Sequence, residues 1–179
     1  MKTFLSSRGY SIKKTDFQSS ELSELENKLT VKPFINESYG QKPIPFPVYC
    51  ESNTKIYIPR YYGQSKYGIA TTNKLNPGET ININFSKTLK DKQKPIVEAF
   101  LKATDTVGGG IISIPCGYGK TVIALYICAQ LKVKTLVIVH KEFLLNQWKE
   151  RIEFFLDNYN IGRIQGGIFD INKKNIVIG

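Results

Sequence analysis

The sequence predicts an α/β fold for its second half, with a parallel sheet and flanking helices, preceded by a smaller α+β domain. Short apolar runs alternate with helical patterns from residue 86 to residue 179, as in folds where helices connect parallel strands. A glycine-rich segment ending in Lys120-Thr121 lies between one such run and the next helical pattern. The first 85 residues are instead rich in proline and tyrosine, which is typical of short strands joined by rigid loops.

Seven elements are predicted in the second half from the periodicity of apolar residues. They are a helix at 86–104, a buried strand at 110–114, a helix at 120–131, a strand at 135–139, a helix at 142–157, and strands at 161–164 and 175–178. Because strands and helices alternate, the sheet should be parallel and covered by helices.

A domain boundary is predicted after Phe85, near the turn that Asn76-Pro77-Gly78 indicates. This gives domains at 1–85 and 86–179. In the first domain, Leu22, Leu25 and Leu29 share one face of a predicted helix. Ser19 or Ser20 could cap that helix. Short strands are predicted at 48–50 and 55–58.

Composition and charge limit the kinds of partner that fit. Hydrophobic residues make up 41% and charged residues 22%, which is ordinary for a folded protein. The net charge of +10 is shared between the two predicted domains, +4 and +6, and attracts polyanions such as nucleic acid. Three cysteines without a CxxC pair predict neither a disulfide framework nor a zinc site. Without a signal peptide or membrane-length apolar run, a soluble protein of the cytoplasm or nucleus is expected.

The segment from Ile114 to Thr121, Ile-Pro-Cys-Gly-Tyr-Gly-Lys-Thr, predicts a loop that binds the phosphates of ATP. Its glycines permit a tight turn, and the following helix start directs N–H groups toward an anion. Lys120 can reach the β- and γ-phosphates, and the Thr121 hydroxyl can ligate the Mg²⁺ that bridges them, so both are the candidate catalytic residues. The alternative is a glycine-rich turn with no ligand. The candidate nucleotide-binding residues in the loop are Pro115, Cys116, Gly117, Tyr118, Gly119, Lys120 and Thr121.

Three blocks in order, Leu89-Lys-Asp-Lys-Gln93, the glycine-rich loop and residues 135–152, resemble superfamily 2 helicases. Within them, the chain is most similar to the type III restriction and excision-repair translocase branch. The resemblance covers residues 89–179 and implies a RecA-like lobe. In that family the glutamine of the first block reads the adenine edge, which implies this role for Gln93. The full GxxxxGK[ST] pattern has glycine where this chain has Ile114, and these motors commonly accept that change.

The third block resembles the strand, loop and helix with which the family grips the nucleic-acid backbone. Its loop follows a parallel strand's carboxyl end, where such folds bind ligands. Gln165-Gly-Gly resembles the next block, although two glycines are also an ordinary turn. The branch acts on DNA, so DNA is expected in preference to RNA. The implied nucleic-acid contacts are His140, Lys141, Gln165, Gly166 and Gly167.

The first 85 residues loosely resemble an N-terminal extension of helicases from large DNA viruses. The similarity rests on Val48-Tyr-Cys-Glu-Ser and on Tyr57-Ile-Pro-Arg-Tyr-Tyr-Gly. A viral source would place the protein in a viral factory or virion. Tyr61 or Tyr62 could stack on bases with Arg60 on a phosphate, or the aromatic rings could fill the core.

The sequence contains no Asp-Glu pair. The family needs such a pair at the end of a further strand, to hold Mg²⁺ and orient the attacking water. We therefore expect a truncated lobe, the N-terminal portion of a longer helicase, that does not hydrolyse ATP by itself.

The expected function is ATP-driven tracking or unwinding of duplex DNA, with ATP and Mg²⁺ as cofactors and a transcription or repair complex as a candidate partner. An alternative is a non-catalytic module that docks nucleic acid or a transcription complex and carries a nucleotide-binding lobe. A P-loop kinase is a third reading, and it would leave the Gln93 and 135–152 blocks unexplained.

Overall fold

The computed structural model describes residues 1–34 and 43–179, which divide into two compact units, Met1–Asn76 and Pro77–Gly179. This division lies earlier in the chain than the predicted boundary after Phe85. Residues 77–85 belong to the second unit because Ile81 and Ile83 are buried in its core, with 8% and 0% of their surface exposed.

The first unit is built on a five-stranded sheet whose strands, from edge to edge, are β5 (Cys50–Glu51), β6 (Lys55–Ile58), β2 (Gly9–Lys13), β1 (Phe4–Ser6) and β7 (Thr72–Asn73). Neighbouring strands are antiparallel except β7, which runs parallel to β1. The predicted strand at 55–58 is confirmed, whereas the one at 48–50 overlaps β5 at a single residue. The unit also has a separate pair of strands, β3 (Thr30–Val31) and β4 (Phe46–Pro47).

The predicted helix in this unit is confirmed as α1 (Ser19–Lys28). Its Leu25, together with Leu29 just beyond its end, packs on the sheet residues Leu5, Ile12 and Ile56. The predicted serine cap is wrong, because Gln18 occupies the capping position. There the Glu21 carboxylate accepts a 2.9 Å hydrogen bond from the Gln18 backbone N–H, as in a capping box.

A second helix, α2 (Arg60–Tyr67), begins after Pro59 and was not predicted. Pro59 presets a backbone angle suited to entering a helix. On α2, Tyr62 packs against the core, while Tyr61 is 50% exposed. Gly63 faces the fully buried Tyr10, so closely that a Cβ at position 63 would lie 2.7 Å from the Tyr10 Cβ.

The second unit has three helices around a four-stranded sheet in the order β12 (Ile168–Asp170), β11 (Ile161–Gln165), β13 (Ile176–Ile178) and β9 (Thr135–Val137). Its predicted helix at 120–131 is confirmed. No helix within residues 1–34 and 43–179 is both long enough and apolar enough to span a membrane. The unit's other elements are β8 (Asn84–Phe85), α3 (Lys94–Thr106), α4 (Lys120–Leu131), α5 (Glu142–Phe155) and β10 (Leu156–Asp157).

The sheet of the second unit is mixed, because β9, β13 and β11 are parallel but β12 is antiparallel to β11. All three residues of β13 are buried, as expected for a parallel strand between two others with its faces covered. Beneath the sheet, Leu125 of α4 and Ile152 of α5 share one core with Ile176 and Ile178.

Four predicted elements of the second unit are wrong in part or whole. The helix predicted at 142–157 ends at Phe155, because Leu156 and Asp157 form β10, and the strand predicted at 135–139 ends at Val137. Residues 110–114 form no strand, because a strand needs a hydrogen-bonded neighbour and the sheet ends at β9. Ile112 and Ile114 pack on α3 and α4, whereas Ile111 is 96% exposed. The helix predicted at 86–104 starts only at residue 94, where Pro95 occupies its first turn.

We predict that Gly63→Ala destabilises the first unit, although alanine favours helices, because the new methyl group meets the Tyr10 ring. The expected loss is about 1–3 kcal/mol in the free energy of unfolding, measured by urea denaturation. Ser65→Ala, at an exposed position on the same helix, should change it by less than about 0.5 kcal/mol. Equal stability of the two variants would show that α2 does not pack closely on Tyr10.

Candidate functional site

The glycine-rich loop leads directly into α4, and its two glycines adopt backbone angles that other residues avoid. Gly117 has φ 79° and Gly119 has φ 83°, both in the left-handed region that favours glycine. A Cβ at Gly117 would meet no atom within 4 Å, so glycine is needed there for its backbone conformation and not for lack of space. A Cβ at Gly119 would also lie 2.6 Å from the Gln93 side-chain nitrogen. The loop therefore needs glycine at both positions.

Lys120 and Thr121 stand at the start of α4, where backbone N–H groups of the first turn have no partner within the helix. The exposed Lys120 ammonium donates a 3.1 Å hydrogen bond to the Pro115 carbonyl and so lies back over the loop. An anion in the loop would find the lysine charge, free N–H groups and the positive end of the helix dipole together.

Gln93 holds this loop in place. The residue is only 4% exposed, and its side-chain N–H group donates a 2.9 Å hydrogen bond to the Tyr118 carbonyl. Its side-chain oxygen accepts a 3.0 Å bond from the Lys90 backbone N–H. The Lys92 ammonium lies 4.2 Å from the centre of the Tyr118 ring. An amide can make further hydrogen bonds through its second N–H and the second lone pair of its oxygen. The two bonds of Gln93 therefore do not test the adenine contact expected of it, and that contact stays a prediction.

His140, Lys141 and Gln165 line one small cavity of about 180 Å³, although they come from separate sequence blocks. His140 and Lys141 are exposed, and Lys141 occupies the N-cap position of α5 without a capping hydrogen bond from its side chain. They follow the carboxyl end of β9. Gln165 is the last residue of β11, which runs in the same direction as β9. The topology thus places these blocks at one edge of the sheet.

The Gly166-Gly167 turn joins β11 to β12 beside this cavity. Ile168 pairs with Gln165 across the hairpin, and Gly166 has φ 54°. A Cβ at either glycine would meet nothing within 4 Å. The turn therefore presents open backbone, as a polymer chain passing over it would require.

Arg163 contributes to this region and was not predicted. Its guanidinium donates a 3.2 Å hydrogen bond to the Glu142 carboxylate and a second bond to the Gln165 side-chain oxygen. It thereby ties the first turn of α5 to the end of β11. The alternation of β11, in which residues 161, 163 and 165 share a face, could have indicated its position.

The donor set fits a Mg²⁺ ion held through nucleotide phosphates more than one held by the protein alone. Thr121 supplies the hydroxyl, and within the described ranges no cluster of three His, Cys, Asp or Glu side chains could hold a metal ion. Cys116 lies exposed in the loop, whereas Cys128 of α4 is mostly covered, and burial raises the pKa of its thiol.

Residues 86–179 match the family described as type III restriction enzyme, res subunit. Across 99% of the chain, 32% of residues are identical in an Acanthamoeba polyphaga mimivirus protein whose name proposes an ATP-dependent RNA helicase. The DNA 3'-5' translocase XPB2 of Sulfurisphaera tokodaii is 46% identical over 44% of the chain. A protein of Invertebrate iridescent virus 6 whose name proposes a helicase is 30% identical over 81%.

The matched regions cover 35%, 17% and 31% of these three relatives' own lengths. The chain therefore spans about a third or less of each of them. Two of the three come from viruses, in agreement with the resemblance of the first 85 residues to viral helicases.

Proposed function

The chain belongs to the family described as type III restriction enzyme, res subunit, and we propose that it is the nucleotide-binding part of an ATP-dependent DNA helicase or translocase. The loop at 115–121 is the observation that carries the proposal. Two glycines with left-handed angles precede a helix start that bears Lys120 and Thr121, and the buried amide of Gln93 fixes their approach. The relatives' names support helicase-type work in general.

The loop backbone, Lys120, Thr121 and Gln93 have distinct roles in this proposal. The backbone N–H groups of 117–121 surround the phosphates, and Lys120 leaves the Pro115 carbonyl to meet the β- and γ-phosphates. The Thr121 hydroxyl ligates Mg²⁺, which when bound neutralises charge on the phosphates. Gln93 offers its remaining N–H and lone pair to the adenine edge.

His140, Lys141 and the Gln165–Gly167 turn form the surface that we assign to nucleic acid. Lys141 supplies positive charge and the start of α5 supplies N–H groups, both suited to a phosphate. The open glycine turn lets a backbone approach without steric hindrance. DNA is preferred to RNA because the relative with 46% identity is named a DNA translocase, although the mimivirus relative's name says RNA.

Nucleotide binding without turnover is the activity that we assign to these 179 residues by themselves. The sequence has no Asp-Glu pair to hold Mg²⁺ through water and orient an attacking water. Binding depends on the loop, whereas hydrolysis needs those carboxylates as well. The two properties can therefore be separated experimentally.

We predict that Mg·ATP protects Cys116 from alkylation. Without nucleotide, iodoacetamide at mildly alkaline pH should modify the exposed Cys50 and Cys116 quickly. It should modify the mostly covered Cys128 slowly, because the thiolate is the reactive form and burial raises the pKa of this thiol. Mg·ATP at about ten times its Kd should slow the alkylation of Cys116 by about tenfold and leave the alkylation rate of Cys50 unchanged. Mass spectrometry of each cysteine peptide gives the rates.

Lys120→Ala should abolish this protection while leaving the rates without nucleotide unchanged. AMP, which lacks the phosphates that Lys120 meets, should protect much less than ATP. Unchanged Cys116 alkylation at saturating Mg·ATP, or equal protection of the Lys120→Ala variant, would contradict phosphate binding by this loop.

We also predict that Lys141→Gln weakens duplex-DNA binding by removing one phosphate contact. In a fluorescence-anisotropy salt series, the slope of log K against log salt should fall by about 0.9. Lys102→Gln, at an exposed position on α3 of the same unit, is the matched control and should keep the slope. Equal slopes for the two variants would remove Lys141 from the proposed interface.

A further inference from the structure

The sheet of the first unit has a second face, on the side opposite its core, where most residues are partly exposed. Successive strand residues point to opposite faces, and Leu5, Tyr10 and Ile56 point into the core. The residues that alternate with these along each strand therefore lie on the other face, and strand pairing aligns them in a row across the sheet. From edge to edge this row is Cys50, Tyr57, Ser11, Phe4 and Thr72.

Two aromatic rings stand in this row with a small residue between them. Phe4 on β1 and Tyr57 on β6 are both partly exposed, whereas the small Ser11 on the intervening β2 is only 2% exposed and lies covered between them. Strands lie about 4.8 Å apart, so the two rings are about 10 Å apart across the sheet. The face therefore presents two separate flat platforms.

Basic side chains surround both platforms. The ammonium groups of Lys55 and Lys74 each lie 4.9 Å from the centre of the Phe4 ring, and that of Lys2 lies 5.9 Å away. The Arg8 guanidinium lies 5.6 Å from the centre of the Tyr57 ring.

Lys13 adds a fifth positive charge, directly opposite Lys55 across β2 and β6. Like charges facing each other across strands destabilise a sheet. In the part of the chain that the structure describes, none of the five cations forms an ion pair, and no outward position on these strands is acidic. This unbalanced charge opposes folding and favours a polyanionic ligand.

We propose that this sheet face binds single-stranded nucleic acid, with bases stacked on Phe4 and Tyr57 and phosphates held by the surrounding lysines and Arg8. Exposed cation–π contacts are weak, and base stacking on an aromatic ring is stronger, so a base can replace the cation over each ring. The displaced cations are then free to meet phosphates. A duplex covers the faces of its bases, which restricts the site to unpaired strands.

This site is separate from the loop at 115–121 and does not rest on the proposed ATPase function. An acidic polypeptide would satisfy the charges but would leave the two rings without a partner. Single-stranded nucleic acid uses both features of the face, and it is therefore the ligand to which the proposal commits.

The test is fluorescence anisotropy of the full chain with a labelled oligothymidylate of about 12 nucleotides, within the usual site size of such surfaces, and with a duplex of equal length. Phe4→Leu and Tyr57→Leu should each weaken binding of the single strand by about tenfold, while Tyr57→Phe keeps the affinity. The duplex, which the proposed surface at Lys141 binds, should keep its affinity in all three variants.

Tyr61→Leu is the matched control, because Tyr61 is an exposed tyrosine 5.6 Å from the Arg60 guanidinium on another face of the unit. It should leave the affinity unchanged. A double variant, Lys55→Gln with Lys74→Gln, leaves both rings in place and should reduce the salt slope by about 1.4. Thermal melting establishes that each variant folds.

The proposal would be overturned if the folded Phe4→Leu and Tyr57→Leu variants bound the single strand as tightly as the unchanged chain does. An equal loss of duplex affinity in these two variants, or an unchanged salt slope in the double lysine variant, would also overturn it. A loss confined to Tyr61→Leu would place the stacking surface on α2 instead and would equally overturn it.

Discussion

The carboxamide of Gln93 spans from the backbone of Lys90 to the carbonyl of Tyr118, and the geometry of the glycine-rich loop depends on it. Gln93 is buried, so breaking its hydrogen bonds would leave the buried amide without partners, which is costly. It also explains why Gly119 must lack a side chain, since a Cβ there would meet the same amide. One side chain thus joins the segment before α3 to the start of α4 and fixes where Lys120 and Thr121 emerge.

Beyond that contact, the second unit places its candidate residues by strand topology. The parallel strands β9 and β11 end at one edge of the sheet, and the residues that follow or end them, Lys141 and Gln165, line one cavity. Arg163 then holds this edge together through Glu142 and Gln165. The cavity lies beside the start of α5, and the glycine-rich loop leads into the start of α4. Helix N-termini favour anions, so the first place suits a phosphate of a polymer and the second suits a nucleotide.

Much of this could be read from the sequence where local signals are strong. The glycines before Lys120 predicted the loop and the start of α4, and the apolar pattern predicted the end of α4 and the strand β6. Signals that depend on distant partners failed: residues 110–114 have strand composition but no strand beside them. Arg163 was missed because its role appears only when β11 and α5 meet. The helix α2 was missed because its tyrosines favour strands.

The central claim is that the loop at 115–121 binds the phosphates of Mg·ATP. The most direct measurement is a titration of the isotope-labelled chain with Mg·ATP, followed through the backbone amide resonances in NMR spectra. The account predicts saturable shifts that are largest at Gly117, Gly119, Lys120 and Thr121, with a smaller shift of the Gln93 side-chain amide. Saturable shifts confined to other surfaces, or none in the loop at millimolar nucleotide, would contradict it.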